Sequence, residues 1–90
     1  MQDNKTQHLT LYSDPGHAWL KVSLWDLKQL KIEDKITSYS YIDPNGNDIY
    51  LEEDVDMVTY LTTLKKHGLD YVIWEDVTDN QSIIRTYRNY

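Results

Sequence analysis

Ser, His and Asp side chains near the first turn of the chain are the residue types that acyl-transfer enzymes use. Asp14 lies three positions before His17, and Ser13 or Ser40 would supply a hydroxyl nucleophile. In such a set the carboxylate orients the imidazole, and the imidazole takes the hydroxyl proton. No nucleophile elbow, oxyanion loop or glycine-rich phosphate loop accompanies these residues. We therefore predict that the protein is not an enzyme and that His17 caps the turn or packs against Trp19.

A second pattern has oxygen-bearing residues at positions 1, 3, 5 and 12 of a calcium loop, namely Asp43, Asn45, Asn47 and Asp54. Position 6 of such loops needs glycine for a sharp turn, and here it is Asp48. The three histidines do not have metal-ligand spacing, and the chain has no cysteine. We predict an ordinary hairpin turn at this place, with no metal and no cofactor.

Residues 36–64 contain no Lys or Arg, and we call this stretch the acidic segment. Its six carboxylates are Asp43, Asp48, Glu52, Glu53, Asp54 and Asp56. Acids at the start of a helix stabilise its dipole by about 0.3–1 kcal/mol each, which accounts for two or three of them. The excess points to a basic partner, because a field of one sign attracts oppositely charged surfaces and weakens with salt. All six are predicted to contact that partner.

Tyrosine is enriched, with eight copies in a chain that has no phenylalanine. Tyr and Trp are favoured at the centres of interfaces because a rigid ring gives a large contact area for little lost entropy. The other interpretation is that most of these rings fill the core. We predict that Tyr39, Tyr41 and Tyr50, which adjoin the carboxylates, contribute contact area to the partner.

Composition limits the remaining possibilities. Ninety residues with 40% hydrophobic content suffice for one domain, residues 1–90, of which 1–7 are polar and expected to be flexible. A net charge of −6 argues against direct binding of nucleic acid, because phosphate contacts need clustered Lys and Arg. No apolar run is long enough for a membrane span or a signal peptide. A cytoplasmic location is expected.

Patterning predicts short strands and two helices. Strands are expected at residues 8–12 and 17–22, joined by a turn at Asp14-Pro15-Gly16. Ser23 is then predicted to cap a short helix that buries Leu24, Leu27 and Leu30. Residues 36–42 and 49–51 are predicted to form a hairpin about the turn at residues 43–48.

The second half is predicted to contain one longer helix. Asp54 is expected to cap it, and Gly68 is expected to end it. A buried strand at residues 71–74 and a final strand at residues 83–87 follow. The predicted order ββαββαββ favours an α+β fold, in which an antiparallel sheet of hairpins carries both helices on one face.

Three blocks carry a resemblance to a known family: Gly16-His17-Ala18-Trp19-Leu20-Lys21-Val22, Lys35-Ile36-Thr37-Ser38-Tyr39-Ser40-Tyr41 and Tyr50-Leu51-Glu52-Glu53-Asp54-Val55-Asp56. They resemble small acidic proteins of phages, prophages and plasmids that typically read H-G-W-L-x-V, K-I-S-x-Y-S-Y and Y-L-E-E-D-C-D. Ala18 replaces the usual glycine and Val55 the usual cysteine, so a thiol role is excluded here. The resemblance implies a mobile-element protein that acts inside a bacterial cell, and it supplies no catalytic residues.

These observations together predict an anti-defence inhibitor similar to anti-CRISPR proteins. Its acidic segment would mimic nucleic acid and bind the basic groove of a nuclease or CRISPR effector. The alternative is a small-molecule module that sequesters a nucleotide signal in a pocket of Trp19, Trp25, Tyr39 and Trp74. A third possibility is a homo-oligomer that forms through a sheet edge.

Overall fold

Six strands form one sheet in the computed structural model, which describes residues 6–90. The elements in chain order are β1 (Thr6–Ser13), β2 (Ala18–Ser23), α1 (Leu24–Gln29), β3 (Tyr41–Ile42), β4 (Asp48–Glu52), α2 (Asp56–Lys66), β5 (Asp70–Val77), a 3₁₀ helix (Ile83–Thr86) and β6 (Arg88–Asn89). The strand order across the sheet is β5-β1-β2-β4-β3-β6. The described residues thus form a small α+β fold with a mostly antiparallel sheet and two α-helices.

The pairing of β5 departs from the predicted sheet of hairpins. β5 runs parallel to β1 along its whole length, from the pair Thr6–Asp70 to the pair Ser13–Val77. The reason lies in α2, which connects β4 to β5. β4 and β1 both run antiparallel to β2, so β4 and β5 point the same way, and a helix is the usual connection between parallel strands.

The core lies between the sheet and the helices. Alternate strand residues point to this side, and the two helices cover them. The buried side chains of this core are Leu9, Leu20, Val22, Leu27, Ile32, Ile36, Ile49, Leu51, Tyr60 and Leu64. Because the strand period is two, the residues between them define the opposite surface, which we call the open face.

The open face is aromatic, and the chain after β5 crosses it. The Tyr12 and Tyr50 ring centroids lie 6.1 Å apart in an edge-on arrangement. Tyr87 places its ring 5.5 Å from that of Tyr50, and the Arg85 guanidinium lies 5.5 Å from the centre of the Trp19 ring. Residues 78–90 therefore cross this face from the end of β1, where the Thr78 N–H donates to the Ser13 carbonyl, to β3, which pairs with β6.

Two of the three predicted helix end signals are confirmed, the cap at Ser23 and the stop at Gly68. The Ser23 hydroxyl accepts a hydrogen bond from the Asp26 N–H at 3.0 Å, which caps α1. Gly68, with φ of +72°, follows the end of α2 and donates to the Lys65 carbonyl at 3.0 Å. Leu69 donates to Leu64 at the same distance, which completes a glycine-dependent helix stop.

Three local predictions are wrong or only partly right. The strand predicted at residues 36–42 is reduced to Tyr41–Ile42, although its hairpin with β4 is confirmed. The final strand predicted at residues 83–87 is a 3₁₀ helix followed by the short β6. Of residues 1–7, predicted to be flexible, residues 1–5 lie outside the described part of the chain, whereas Thr6 and Gln7 begin β1.

The strand predicted as buried at residues 71–74 is longer and lies at the edge of the sheet. Tyr71 and Ile73 pack against the core, but Val72 and Trp74 are exposed on the other side. An edge strand has one neighbour, so fewer of its side chains are covered. Within residues 6–90, neither helix has the length and apolar character that a membrane span requires.

Candidate cation-binding cleft

Asp56 is a structural residue in the interior. Its side chain is 0% exposed, and its carboxylate accepts the Thr37 N–H at 3.1 and 3.0 Å. The Thr37 hydroxyl donates to it at 2.7 Å and the Ser40 hydroxyl at 2.5 Å. These bonds fold residues 36–40 into turns around the carboxylate, which explains why the predicted strand there does not form.

Glu52 caps α2 in place of Asp54. Its carboxylate accepts the N–H groups of Asp54 at 2.8 Å, Val55 at 2.5 Å and Asp56 at 2.8 Å. Val55 occupies the N-cap position and makes no side-chain capping bond, so the predicted cap at Asp54 is wrong. A carboxylate from the preceding strand satisfies the same unpaired N–H groups and the positive end of the helix dipole.

Asp43 and Asp48 stabilise the hairpin turn. The buried Asp43 carboxylate accepts the N–H groups of Asn47 at 3.2 Å and Asp48 at 3.3 Å. The Asp48 carboxylate lies 3.8 Å from the Lys21 ammonium group. Gly46 takes a φ of +77°, which the turn needs. Across the described residues, no three or more His, Asp or Glu side chains are grouped to hold a metal ion.

Glu53 and Asp54 are the two carboxylates of the acidic segment without an internal role. Neither makes a hydrogen bond or ion pair through its side chain with another residue of 6–90. Asp54 is exposed and Glu53 is half-buried. These two charges are therefore available to a partner, whereas burial removes Asp43 and Asp56 from the surface.

A cleft of about 320 Å³ lies where β4 leads into α2, and we call it the β4–α2 cleft. Its lining residues are His17, Trp19, Tyr39, Tyr41, Glu52, Asp54 and Val55. The Trp19 ring is buried and lies 6.1 Å from the Tyr41 ring and 6.0 Å from the His17 ring. Tyr39 is 71% exposed. Among the described residues that line the cleft there is no Lys or Arg.

An ion pair fixes the segment beside this cleft. The Asp14 carboxylate accepts bonds from Arg85 Nε at 2.6 Å and Nη2 at 2.9 Å, and from the Ser82 N–H at 2.9 Å. Arg85, followed by the Ser82 N–H, holds the pKa of Asp14 well below its usual range. The same carboxylate accepts the Gly16 and His17 N–H groups of the turn, each at 3.0 Å. The arginine side chain thus covers Trp19 while its charge is balanced.

The nine predicted partner-binding residues are only partly brought together. Four of them line the β4–α2 cleft: Tyr39, Tyr41, Glu52 and Asp54. The other five do not line it: Asp43, Asp48, Tyr50, Glu53 and Asp56. Tyr50 lies on the open face between Tyr12 and Tyr87, where burial, followed by the nearby Tyr87 and Asp48, raises its pKa to about 12.

The considered nucleophile–base set is not assembled. The Ser13 hydroxyl donates to Glu75 at 2.6 Å, and the Ser40 hydroxyl donates to Asp56. Within the described residues, neither hydroxyl is hydrogen-bonded to His17. The imidazole instead lies at the mouth of the cleft beside Trp19, as predicted for a packing role.

The predicted four-residue aromatic pocket does not form either. Trp19 and Tyr39 line the β4–α2 cleft, but Trp25 lies on α1 and lines other depressions there. Trp74 is on the edge strand and is 67% exposed. The sequence alone did not predict that Val55 and His17 line the cleft, or that Arg85 pairs with Asp14 beside it. No local signal connects Arg85 to Asp14, because 71 positions separate them.

Comparison of the chain with protein-family models, with curated proteins and with solved structures finds no match.

Proposed function

We propose that the protein is a non-catalytic binding protein whose β4–α2 cleft accepts a Lys or Arg side chain of a basic partner. The observation that carries this proposal is a cleft lined by aromatic rings and two carboxylates, with no Lys or Arg among its described lining residues. Within that class we propose a stoichiometric inhibitor of a bacterial nuclease or CRISPR effector. It would act in the cytoplasm of the host cell.

The chemistry of the cleft favours a cationic group. An ammonium or guanidinium group is attracted to the face of Trp or Tyr within about 6 Å, by roughly 0.5–1 kcal/mol at exposed sites and more where water is excluded. Tyr39 and Tyr41 offer such rings, whereas the buried Trp19 ring is already covered by the Arg85 guanidinium. The Asp54 carboxylate is free to pair with the charge. Glu52 adds negative potential although its oxygens already accept three N–H groups.

The dimensions of the cleft favour a side chain over a large ligand. Its volume of about 320 Å³ is at the lower limit of the 300–1,000 Å³ range that is typical of small-molecule pockets. A nucleotide would bring phosphates next to Glu52 and Asp54, which is electrostatically unfavourable. These features support a partner protein more strongly than the nucleotide-sequestering alternative.

The surrounding charge supports a basic partner as well. The acidic segment has no Lys or Arg in 29 consecutive residues, and the whole chain carries a net charge of −6. Fields of this kind raise association rates by about 10–10³-fold and decline with ionic strength. The resemblance of three sequence blocks to small acidic phage proteins supports a partner inside a bacterium, where nucleic-acid-binding defence complexes present basic grooves.

A capture experiment with two matched variants tests the proposal. The tagged protein is incubated with bacterial lysate that contains defence complexes and is washed at low and at high salt. The cleft variant combines Glu53→Lys and Asp54→Lys, and the control combines Asp34→Lys and Asp79→Lys, which changes net charge equally at exposed sites. Glu52 and Asp56 are left intact because they hold the fold together.

The expected result is capture of a nuclease or CRISPR effector that is lost at high salt. The cleft variant should lose this capture, and the control should retain at least half of it. Equal retention by both variants would show that the cleft does not bind the partner. Equal loss in both would show that binding depends on net charge alone, which would also contradict the proposal.

A further inference from the structure

The outer side of β5 is an unpaired sheet edge. β5 pairs with β1 over all eight of its residues and stands last in the strand order. In a parallel pair, alternate residues direct their N–H and C=O groups to opposite sides of the strand. Half of the β5 backbone groups therefore point away from β1, and no other described strand pairs with them.

This edge lacks several of the devices that prevent pairing with another chain, although it carries three carboxylates. Natural edges are commonly short, bulged, or protected by Pro or Lys. β5 reads Asp-Tyr-Val-Ile-Trp-Glu-Asp-Val, with no Pro, Gly or Lys, and its register with β1 is continuous. Val72, Trp74 and Val77 are 42%, 67% and 64% exposed. A long apolar edge of this kind accepts an added strand.

The charges of β5 decide which strand fits. Asp70, Glu75 and Asp76 place three carboxylates on this strand. A second copy would bring three more to the same ladder, and like charges on neighbouring strands are destabilising. Lys65 pairs with Asp70 at 3.1 Å, which leaves the charges near the end of the strand, Glu75 and Asp76, without a cation partner in the described chain.

The order of the β5 side chains on the open face determines the spacing of apolar and basic residues in an added strand. Val72, Trp74 and Asp76 point to that face, because they are the register partners of His8, Thr10 and Tyr12. An added strand would thus place an apolar residue opposite Val72 or Trp74 and a cation opposite Asp76. The positions opposite Trp74 and Asp76 are two residues apart in an extended chain, and those opposite Val72 and Asp76 are four residues apart.

We propose that the outer edge of β5 binds an extended segment of a partner protein that carries an apolar residue and, two positions further along and on the same face, a Lys or Arg. The segment would continue the sheet through backbone hydrogen bonds, and its Lys or Arg side chain would pair with Asp76 on the open face. This site is independent of the β4–α2 cleft, because β1 and β2 separate β5 from β4 in the sheet.

The test uses an acetylated eight-residue peptide with valine at positions 2 and 4, lysine at position 6 and threonine elsewhere, and a matched peptide with glutamate in place of lysine. Binding is followed by titration calorimetry at low and high salt, and backbone amide hydrogen exchange locates the site. We expect the lysine peptide to bind, to slow exchange in β5, and to lose affinity at high salt. The glutamate peptide should not bind.

Two charge-matched variants sharpen the result. Asp76→Lys should weaken binding of the lysine peptide by about two- to tenfold, as expected for losing a favourable cross-strand pair and gaining a repulsive one. Asp79→Lys lies beyond the strand, makes the same change in net charge and should leave affinity unchanged. Asp54→Lys in the cleft should also leave it unchanged.

Three outcomes would overturn the proposal. Equal binding of both peptides would show that the carboxylates of β5 do not select a basic segment. Protection that appears outside β5 would place the peptide elsewhere. A dimer seen by sedimentation in the absence of peptide, with slowed exchange in β5, would show that a second copy occupies the edge.

Discussion

Replacing Asp56 should destabilise this fold more than replacing any other carboxylate of the acidic segment. The carboxylate is fully buried and receives three donors, the Thr37 N–H, the Thr37 hydroxyl and the Ser40 hydroxyl. In Asp56→Ala all three lose their acceptor. A buried donor without a partner costs about 1–3 kcal/mol, and the two hydroxyls recover part of that by rotating. We expect a total loss of about 3–5 kcal/mol.

That loss is large for a chain of 90 residues. Domains of this length have a total stability of about 5–13 kcal/mol, at roughly 0.05–0.15 kcal/mol per residue. Each kcal/mol corresponds to about 4–8 °C in Tm, so Asp56→Ala should lower Tm by about 12 °C or more. Asp56→Asn keeps the shape and one acceptor oxygen, and its loss should be smaller, about 1–2 kcal/mol.

Urea unfolding monitored by tryptophan fluorescence measures these differences. The matched control is Asp54→Ala, which removes an exposed carboxylate two positions away and should cost less than about 1 kcal/mol through the helix dipole. If Asp56→Ala and Asp54→Ala proved equally stable, the carboxylate would not organise residues 36–40 as described.

Three further predictions concern the ion pair, the helix cap and a buried phenol. The pKa of Asp14 is lowered below its ordinary value of 3.8, so its pairing with Arg85 stabilises the fold above about pH 4, and this contribution is lost as pH falls. The free energy of unfolding, measured across acidic pH, should therefore depend less on pH in Asp14→Asn than in the unchanged protein. Glu52→Ala should cost about 1 kcal/mol or more by uncapping α2, and Glu53→Ala should cost clearly less in the same urea assay. Tyr50→Phe should remove one tyrosinate transition near pH 12 from an ultraviolet absorbance titration, whereas loss of a transition near pH 10 would show that Tyr50 is not buried as described.

The sequence predicted elements whose signals are local. Ser23 caps α1, Gly68 ends α2, and the turn around Gly46 joins a hairpin, each as expected from residue type. In each case a few neighbouring residues determine the backbone conformation. The α+β class followed from the same signals.

Two of the failures, at residues 36–40 and at β5, share a different cause, which is contact over a long separation. Residues 36–40 alternate as a strand would, but Asp56, at least 16 positions later, binds them into turns. The parallel pairing of β5 with β1 joins segments 64 positions apart and depends on where α2 returns the chain. Nothing in a single sequence indicates such partners.

The candidate site shows the same division. Charge segregation drew attention to the junction of β4 and α2, and Tyr39, Tyr41, Glu52 and Asp54 line a cleft there. The sequence could not distinguish carboxylates that accept hydrogen bonds inside the fold from carboxylates that are exposed to solvent. Asp43 and Asp56 satisfy backbone or hydroxyl donors, and only the folded structure reveals this.

The most direct test of the proposed cation-binding cleft is an NMR titration of isotope-labelled protein with a short arginine-rich peptide that contains no apolar residue. We predict that chemical-shift changes at low salt concentrate on His17, Trp19, Tyr41, Asp54 and Val55, and that they vanish at high salt or in Asp54→Lys. Changes spread evenly over all exposed carboxylates, or centred away from the cleft, would contradict the account.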